Sequence, residues 1–410
     1  MTPSPSHRVV ITGAGCVSSL GVGKEAFWNA LSEGKCGIRQ TRVSRDGLEA
    51  IFPAGPVCGF DPLQHFTGDE LVWRDPFAQF AQVAAREAMA DAGLAAGEDE
   101  NSDTAVIIGC GGGGEHAREE AGVRLFAQRR LRSHPVTVPK ANLQAAVGFI
   151  SIEFGAMGPS FVVSTGCAAA THAICQAYLV VKNGLARRAI TGGTEAPVII
   201  SILEAFLAAG VLSDSTCRPF SRDRDGMVLA DGSGIVIMES LESARARGAR
   251  VYAELAGIGM SADAQNSVHP AARGPVLALD RAFADAGINA EQVDYINAHG
   301  TGTQVNDRVE TAAIKLAFGE HARNVAISST KSMHGHAFGG AGGVELVATL
   351  LAMKHGVVPP TINYLGEDDG CDLDYIPNFA RDRDVRTAVS QSFAFGGLNA
   401  VLVVKRDVEL

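Results

Sequence analysis

Three stretches of the chain hold side chains able to do chemistry. In "VVSTGCAAATHAI", residues 162 to 174, Cys167 stands between a short apolar run and an alanine-rich stretch that reads as the start of a helix. The partial positive charge at a helix N-terminus favours a thiolate and lowers the thiol pKa. The competing reading is a small hydrophobe filling a gap. In "NAHGTGTQVNDRVE", residues 297 to 310, a strand delivers His299 into a turn of glycines and threonines. In "SSTKSMHGHAFGGAGGVE", residues 328 to 345, a second strand end offers Lys331, His334 and His336 ahead of a glycine-rich helix start. A cysteine with strand-end histidines points to covalent catalysis, the thiol as nucleophile and the imidazoles as hydrogen-bond donors or proton carriers. A zinc site is the alternative, but two histidines and a distant thiol in glycine loops match no standard ligand spacing, so no metal is expected. Glycine turns after strands also hold nucleotide phosphates. Neither G-x-G-x-x-G nor G-K-[ST] is met here, and "CGGGG" at 110 to 114 fails the same template, so no cofactor is expected.

The elements that must position these residues follow an α/β pattern. Apolar strand segments such as "RVVITG", "TAVIIG", "FVVST", "GIVIMES", "VDYINAHG", "NVAISST" and "NAVLVVKR" alternate with alanine-rich helical stretches. Two of those stretches, "AAREAMADAGL" and "DRAFADAGI", each end on a glycine placed for a left-handed cap and lead through a polar loop into a strand. A second pair, "GCAAATHAICQAYLVVKNGLARRAI" and "GGAGGVELVATLLAMKHGVVPPTIN", runs alike from small residues through an apolar helix to a glycine. Such echoes suggest two similar halves, residues 1–255 with the cysteine and 256–410 with the histidines. No Pro/Ser-rich or charged linker separates them, so they should pack as one body.

The 410 residues, 46% hydrophobic and 20% charged, are enough for a substantial core and more than one ordinary domain. A net charge of −10 argues against nucleic acid or an anionic membrane as partner. The eight cysteines are scattered without a C-x-x-C pair, which fits a reducing cytosol. The opening "MTPSPSHRVVITGAG" lacks the apolar core of a signal peptide. No apolar run reaches the roughly 18 residues of a membrane span. A soluble cytoplasmic protein is expected.

Taken in order, "RVVITGAG", "STGCAAATHAI", "GGTEAP", "CRPFSRDRDGMVLADGSG", "NAHGTGTQVNDRVE", "SSTKSMHGH" and "SFAFGGLNAVLVVKR" resemble the elongating β-ketoacyl-acyl-carrier-protein synthases over essentially the whole chain. Within that family they are most similar to the branch containing the rhizobial nodulation protein E and the polyene ketosynthases. The resemblance implies a thiolase-like α/β fold, two similar halves in a five-layered α-β-α-β-α arrangement. It implies that Cys167 takes an acyl chain from a carrier-protein thioester, and that His299 and His336 bind the thioester carbonyl of a malonyl carrier protein as carbon dioxide leaves. The backbone N–H groups of Cys167 and Phe395 would form a second oxyanion hole, with Phe395 also gating the acyl tunnel. Lys331 and Glu345 would be a charged pair supporting the histidines, and Thr301 and Thr303 would hold the phosphopantetheine arm. Phe206 and Gly112 would line the acyl pocket. For "RDRDGMVLADGSG" the expectation is structural, tight turns in a polar network that joins the halves.

Against the commonest pattern of that family, Gly166 replaces an alanine, His334 a threonine, Ala394 a glycine and Leu398 a threonine or serine. Gly112 falls where the fatty-acid enzyme carries a bulky side chain, which predicts a deeper or wider tunnel. Arg129, Arg130 and Arg132 in "AQRRLRSHP" form a basic cluster suited to an acidic carrier protein, or simply a solvated face. The expected partners are acyl- and malonyl-loaded carrier protein and a second subunit, as a homodimer or a heterodimer with a homologous chain-length factor. The product class expected is a polyene, polyketide or unsaturated acyl chain. The alternatives are housekeeping fatty-acid elongation and a non-catalytic chain-length partner. Such partners usually lack the cysteine that this chain keeps.

Overall fold

The structure is a computed structural model that describes residues 7–95 and 101–408. Residues 1–6, the polar opening read above as lacking a signal core, lie outside the described residues. Ten strands form the main sheet: β1 (Val9–Ser18), β2 (Thr104–Gly109), β3 (Ser160–Val163), β4 (Arg188–Glu195), β5 (Gly232–Ser240), β6 (Ala253–Ala262), β7 (Tyr295–Asn297), β8 (Ala326–Ser328), β9 (Thr387–Ala394) and β10 (Leu398–Lys405). They lie in the order β8-β7-β9-β10-β6-β1-β5-β4-β2-β3, with Gly21–Val22 paired to β1 as a short spur.

Divided between β6 and β1, this order is one motif used twice. Each half carries its strands in the order third, second, fourth, fifth, first. In each, the second strand lies parallel to the third and fourth, while the fifth is antiparallel to the fourth and the first. The half-sheets meet through three residues, Val9, Val10 and Ile11 opposite Leu255, Glu254 and Ala253. The boundary expected at residue 255 therefore falls inside β6, whose pairing with β1 leaves no linker between the halves.

Helices occupy matching places. In the first half α1 (Pro76–Asp91), α2 (Glu115–Gly122), α3 (Ala145–Phe154), α4 (Ala169–Lys182) and α5 (Ile200–Ala208) are relevant here; in the second, α6 (Arg273–Ala286), α7 (Gln304–Phe318) and α8 (Ala341–His355). The echoing sequences fall on α1 and α6, and on α4 and α8. The two predicted caps, Gly93 and Gly287, are left-handed at φ 71° and 61°.

Alternation along the strands reveals the layers. Ile235 and Ile237 of β5 pack outward with α1 and α3, whereas Val236 and Met238 face inward onto α4 and α8. Val401 and Val403 of β10 pack outward with α6 and α7, whereas Leu402 and Val404 join the same central cluster. Both faces of every such strand are buried, which explains the continuous apolar runs. The result is α1/α3, half-sheet, α4/α8, half-sheet, α6/α7, the five-layered arrangement expected. Glycine sets the spacing of the outer helices identically in both halves: a Cβ on Gly13 or Gly15 would collide with carbonyls of Ala88 or Ala84, and one on Gly257 or Gly259 with those of Ala282 or Ala278. None of the described helices is long and apolar enough to cross a membrane.

Candidate functional site

Because the inner strands of each half are parallel, their C-terminal ends gather on one side, where ligands of α/β sheets are held. The turn carrying Cys167 leaves β3, the His299 turn leaves β7, Lys331 follows β8, and Phe395 follows β9. A cavity of about 450 Å³ connects several of them, lined by Cys167, His299, Thr301, Thr303, His336 and Phe395. That volume is within the range of small-molecule sites.

Cys167 sits in a single 3-10 turn, Gly166–Ala168, directly ahead of α4, and is 5% exposed. Gly166 holds φ 57° so that the chain can turn sharply from strand to helix. The expectation of a depressed thiol pKa is not met. Burial pushes the Cys167 thiol up to about 12, outweighing the nearby Lys331 ammonium and the thiol's own backbone N–H, both of which favour the thiolate. The resting nucleophile is a protonated thiol, and its proton has to be taken up as it attacks.

The neighbouring imidazoles are uncharged. Burial, with Lys331 as the next cause, holds His299 and His336 well below the usual histidine pKa, so both rings are neutral. The rings meet edge to face with centroids 5.5 Å apart. Lys331 Nζ lies 3.4 Å from His299 Nδ1 and donates to the His299 carbonyl at 2.6 Å. An ammonium can only donate, so Nδ1 of His299 is the acceptor and its hydrogen sits on Nε2, a donor. Lys331 is fully buried and forms an ion pair with Glu345 of α8. His336 is placed by its backbone, its N–H donating to Val228 O (2.7 Å) and its carbonyl accepting from Ala230 N–H (3.0 Å). Neither ring nitrogen of His336 has a hydrogen-bond partner among the described residues. Buried polar atoms are seldom left so, and a substrate oxygen in the cavity would satisfy them. His334, by contrast, does not line the cavity. It bonds Thr330 Oγ1 at 3.0 Å, and burial lowers its pKa to about 3.

Thr301 and Thr303 line the cavity with their hydroxyls 2.9 Å apart. Phe395, 48% exposed, stands beside Gly396 and Gly397, both at positive φ, in the short connection between β9 and β10. Arg129, Arg130 and Arg132 are exposed on a segment that contributes nothing to the cavity lining. Arg224, in the segment expected to be structural, is buried and ties it to α7 and the 368 turn through Asp307 and Asp368.

Two of the expected pocket residues stand away from this cavity. Gly112 and Phe206 do not line the cavity. A Cβ on Gly112 would point onto the Glu115 side chain of α2, because the amides of Gly111, Gly112 and Gly113 turn inward to the Glu195 carboxylate.

Sequence reasoning passed over the carboxylates that hold these loops. Glu310 accepts from the N–H groups of His299 and Gly300, both at 2.7 Å, and from Gln391. Asp307 accepts from the N–H groups of Phe220 and Gly302. The signal available was two acidic residues at i and i+3 on one helix face just after a glycine turn. Glu195 plays the same part for the Gly111–Gly113 loop. Among the described residues no group of His, Cys, Asp and Glu side chains is arranged to hold a metal.

The chain matches the β-ketoacyl synthase N-terminal domain over residues 6–244 and the C-terminal domain over residues 252–365. The chain belongs to the β-ketoacyl synthase family. Nodulation protein E from a Rhizobium strain is 45% identical over 401 residues, covering 98% of this chain and 99% of that protein. The 3-oxoacyl-[acyl-carrier-protein] synthase 2 of Synechocystis sp. is 42% identical over 408 residues, covering 97% and 98%. Among solved structures, the ishigamide ketosynthase/chain length factor superposes with a TM-score of 0.91 at 34% identity, over 98% of this chain and 100% of that one. This β-ketoacyl synthase thus has full-length relatives named as a 3-oxoacyl-[acyl-carrier-protein] synthase and as a ketosynthase/chain length factor.

Proposed function

We propose that this β-ketoacyl synthase condenses an acyl chain with a malonyl unit, both delivered as carrier-protein thioesters, to give a 3-oxoacyl thioester and carbon dioxide. The observation that carries this reading is the meeting of Cys167, His299 and His336 on one cavity, with Lys331 fixing the tautomer of His299. Cys167 Sγ attacks the acyl thioester carbonyl, the carbon–sulfur bond to the carrier breaks, and the carrier thiol leaves with the cysteine proton. The malonyl thioester then enters with its carbonyl oxygen at His299 Nε2–H and His336. Its carboxylate carbon–carbon bond breaks, and the electron pair passes into an enolate held by those two donors. The enolate carbon attacks the acyl-Cys167 carbonyl, and collapse of that adduct returns the sulfur, which regains a proton. Thr301 and Thr303 hold the pantetheine arm along the cavity, and Phe395 covers the thiol from the solvent side.

The relatives favour a specialised product, a polyene or unsaturated chain made with a homologous chain-length subunit. The 42% identity to the Synechocystis synthase favours a second reading, general fatty-acid elongation as a homodimer. The eight cysteines are free thiols, which suits the cytosol where carrier proteins work. The test is a condensation assay with acyl and malonyl carrier protein, run with and without the homologous partner. Carbon dioxide release and a 3-oxoacyl product are expected, and both are lost in His299→Ala and His336→Ala while Cys167 still becomes acylated. Equal loss of acylation in those variants would contradict the division of labour.

A further inference from the structure

The turn that presents Cys167 has no cap of the usual kind. Thr165, at the N-cap of Gly166–Ala168, gives no side-chain bond to the N–H groups that follow it, and Ala168, at the N-cap of α4, has no polar side chain to give one. Two backbone bonds close the turn, Ala168 N–H to Thr165 O at 3.3 Å and Ala169 N–H to Gly166 O. Gly166, left-handed at φ 57°, permits the turn without fixing it. A nucleophile needs more, because Sγ and the Cys167 N–H must both keep a set direction toward an incoming carbonyl.

His172, in the first turn of α4, supplies the missing bonds. Its Nδ1 lies 3.1 Å from Ala168 O and 3.0 Å from Thr165 Oγ1. A carbonyl oxygen only accepts, so Nδ1 carries the hydrogen and shares it between the residue before the turn and the residue after it. Burial holds the His172 pKa below the usual histidine value, against the Ala168 bond that favours protonation, so the ring is neutral and this is its one N–H. His172 does not line the cavity and touches nothing bound there. The base on which it stands is itself fixed: the neighbouring Thr171 Oγ1 lies 2.7 Å from Ser392 Oγ of β9, both fully buried, which ties α4 to the strand leading to Phe395.

We propose that His172 is a positioning residue for Cys167, its Nδ1–H clamping both ends of the Gly166–Ala168 turn and so aiming the thiol and the Cys167 N–H at an acyl thioester. This rests on the condensing reading above. The clamp serves acyl transfer at the sulfur. The malonyl step does not depend on it, since His299 and His336 stand on turns of the other half.

The test follows acylation of Cys167 by acyl carrier protein, through intact mass, beside carbon dioxide release from a malonyl thioester. His172→Leu keeps bulk and loses the N–H, whereas His172→Asn places an amide N–H near the position of Nδ1. His172→Leu should lower the saturating rate of acylation by about 10²-fold, the cost of a displacement on the order of 1 Å, with KM unchanged. Carbon dioxide release should stay at the wild-type rate, and His172→Asn should restore most of the acylation. Should His172→Leu fail to fold, as judged by thermal unfolding, Thr165→Val decides the matter: it removes one acceptor and should slow acylation alone. Wild-type acylation in the variant that decides, or equal loss of both reactions, overturns the clamp. Absence of any acyl adduct on wild type overturns the condensing reading, and the clamp with it.

Discussion

Removing the Lys331 ammonium tests whether it acts on His299 or merely fills the core. Lys331 and Glu345 are paired with essentially no exposure, so Lys331→Met alone leaves a buried carboxylate without its partner, a loss of about 3–5 kcal/mol. The His299 carbonyl also loses its donor, at about 1–3 kcal/mol. Replacing both charges, as Lys331→Met with Glu345→Leu, removes the unpaired ion and should recover most of that stability, because apolar replacements of buried pairs are often neutral. Catalysis should not recover with it. Without the ammonium at Nδ1, His299 has no fixed Nε2–H donor, and loss of one oxyanion donor lowers the rate by about 10²–10³. The assay follows carbon dioxide release from a malonyl thioester beside acylation of Cys167, with thermal unfolding of the same samples. Acylation also slows, since Lys331 favours the thiolate. Wild-type decarboxylation in the double variant would refute the reasoning and leave Lys331 a packing residue.

Three further outcomes are expected. Gly166→Ala meets only the Ala394 Cβ at 3.6 Å, so it should remain active and lose about 1–2 kcal/mol to left-handed strain, read as a lower Tm; a loss of activity without loss of stability would contradict this. Burial raises the Asp231 carboxyl to about 7, so between the usual carboxylate value and pH 7 the folded state holds a proton that the unfolded state has released. Stability should therefore fall as pH rises through that window, by up to about 1.4 kcal/mol per pH unit for this group, and Asp231→Asn should flatten the Tm profile. Reversing Arg129 and Arg130 to Glu should raise KM for carrier-bound substrate while leaving transfer from a small thioester unchanged; equal effects on both would argue against docking there.

The sequence made the architecture legible wherever strands are apolar. Seven strands were visible as runs such as "TAVIIG" and "NAVLVVKR", and the α1/α6 and α4/α8 echoes anticipated the doubled topology. Missed were β4, β6 and β9, whose segments "RAITGGTE", "AELAGIGMSA" and "TAVSQSFA" carry glycines and polar residues. Tertiary context overrides propensity in each. Gly257 and Gly259 admit helix α6 against β6, and Gln391 of β9 serves Glu310 beneath the His299 turn. At the site, Cys167, His299 and His336 stood out by residue type at strand ends. Two features depend on distances that no local pattern encodes. Burial overrides the helix N-terminus at Cys167, and the space at Gly111 is filled by Phe338 from the opposite half.

The central claim is that Cys167 carries the acyl chain and the histidines act on the malonyl partner. Intact mass of the protein, alone and with a homologous partner subunit, tests it most directly after incubation with an acyl carrier thioester and then with malonyl carrier protein. The account predicts an acyl adduct on wild type, none on Cys167→Ala, and its discharge on malonyl addition with release of a chain two carbons longer. An adduct that survives in Cys167→Ala, or none under either condition, would contradict it.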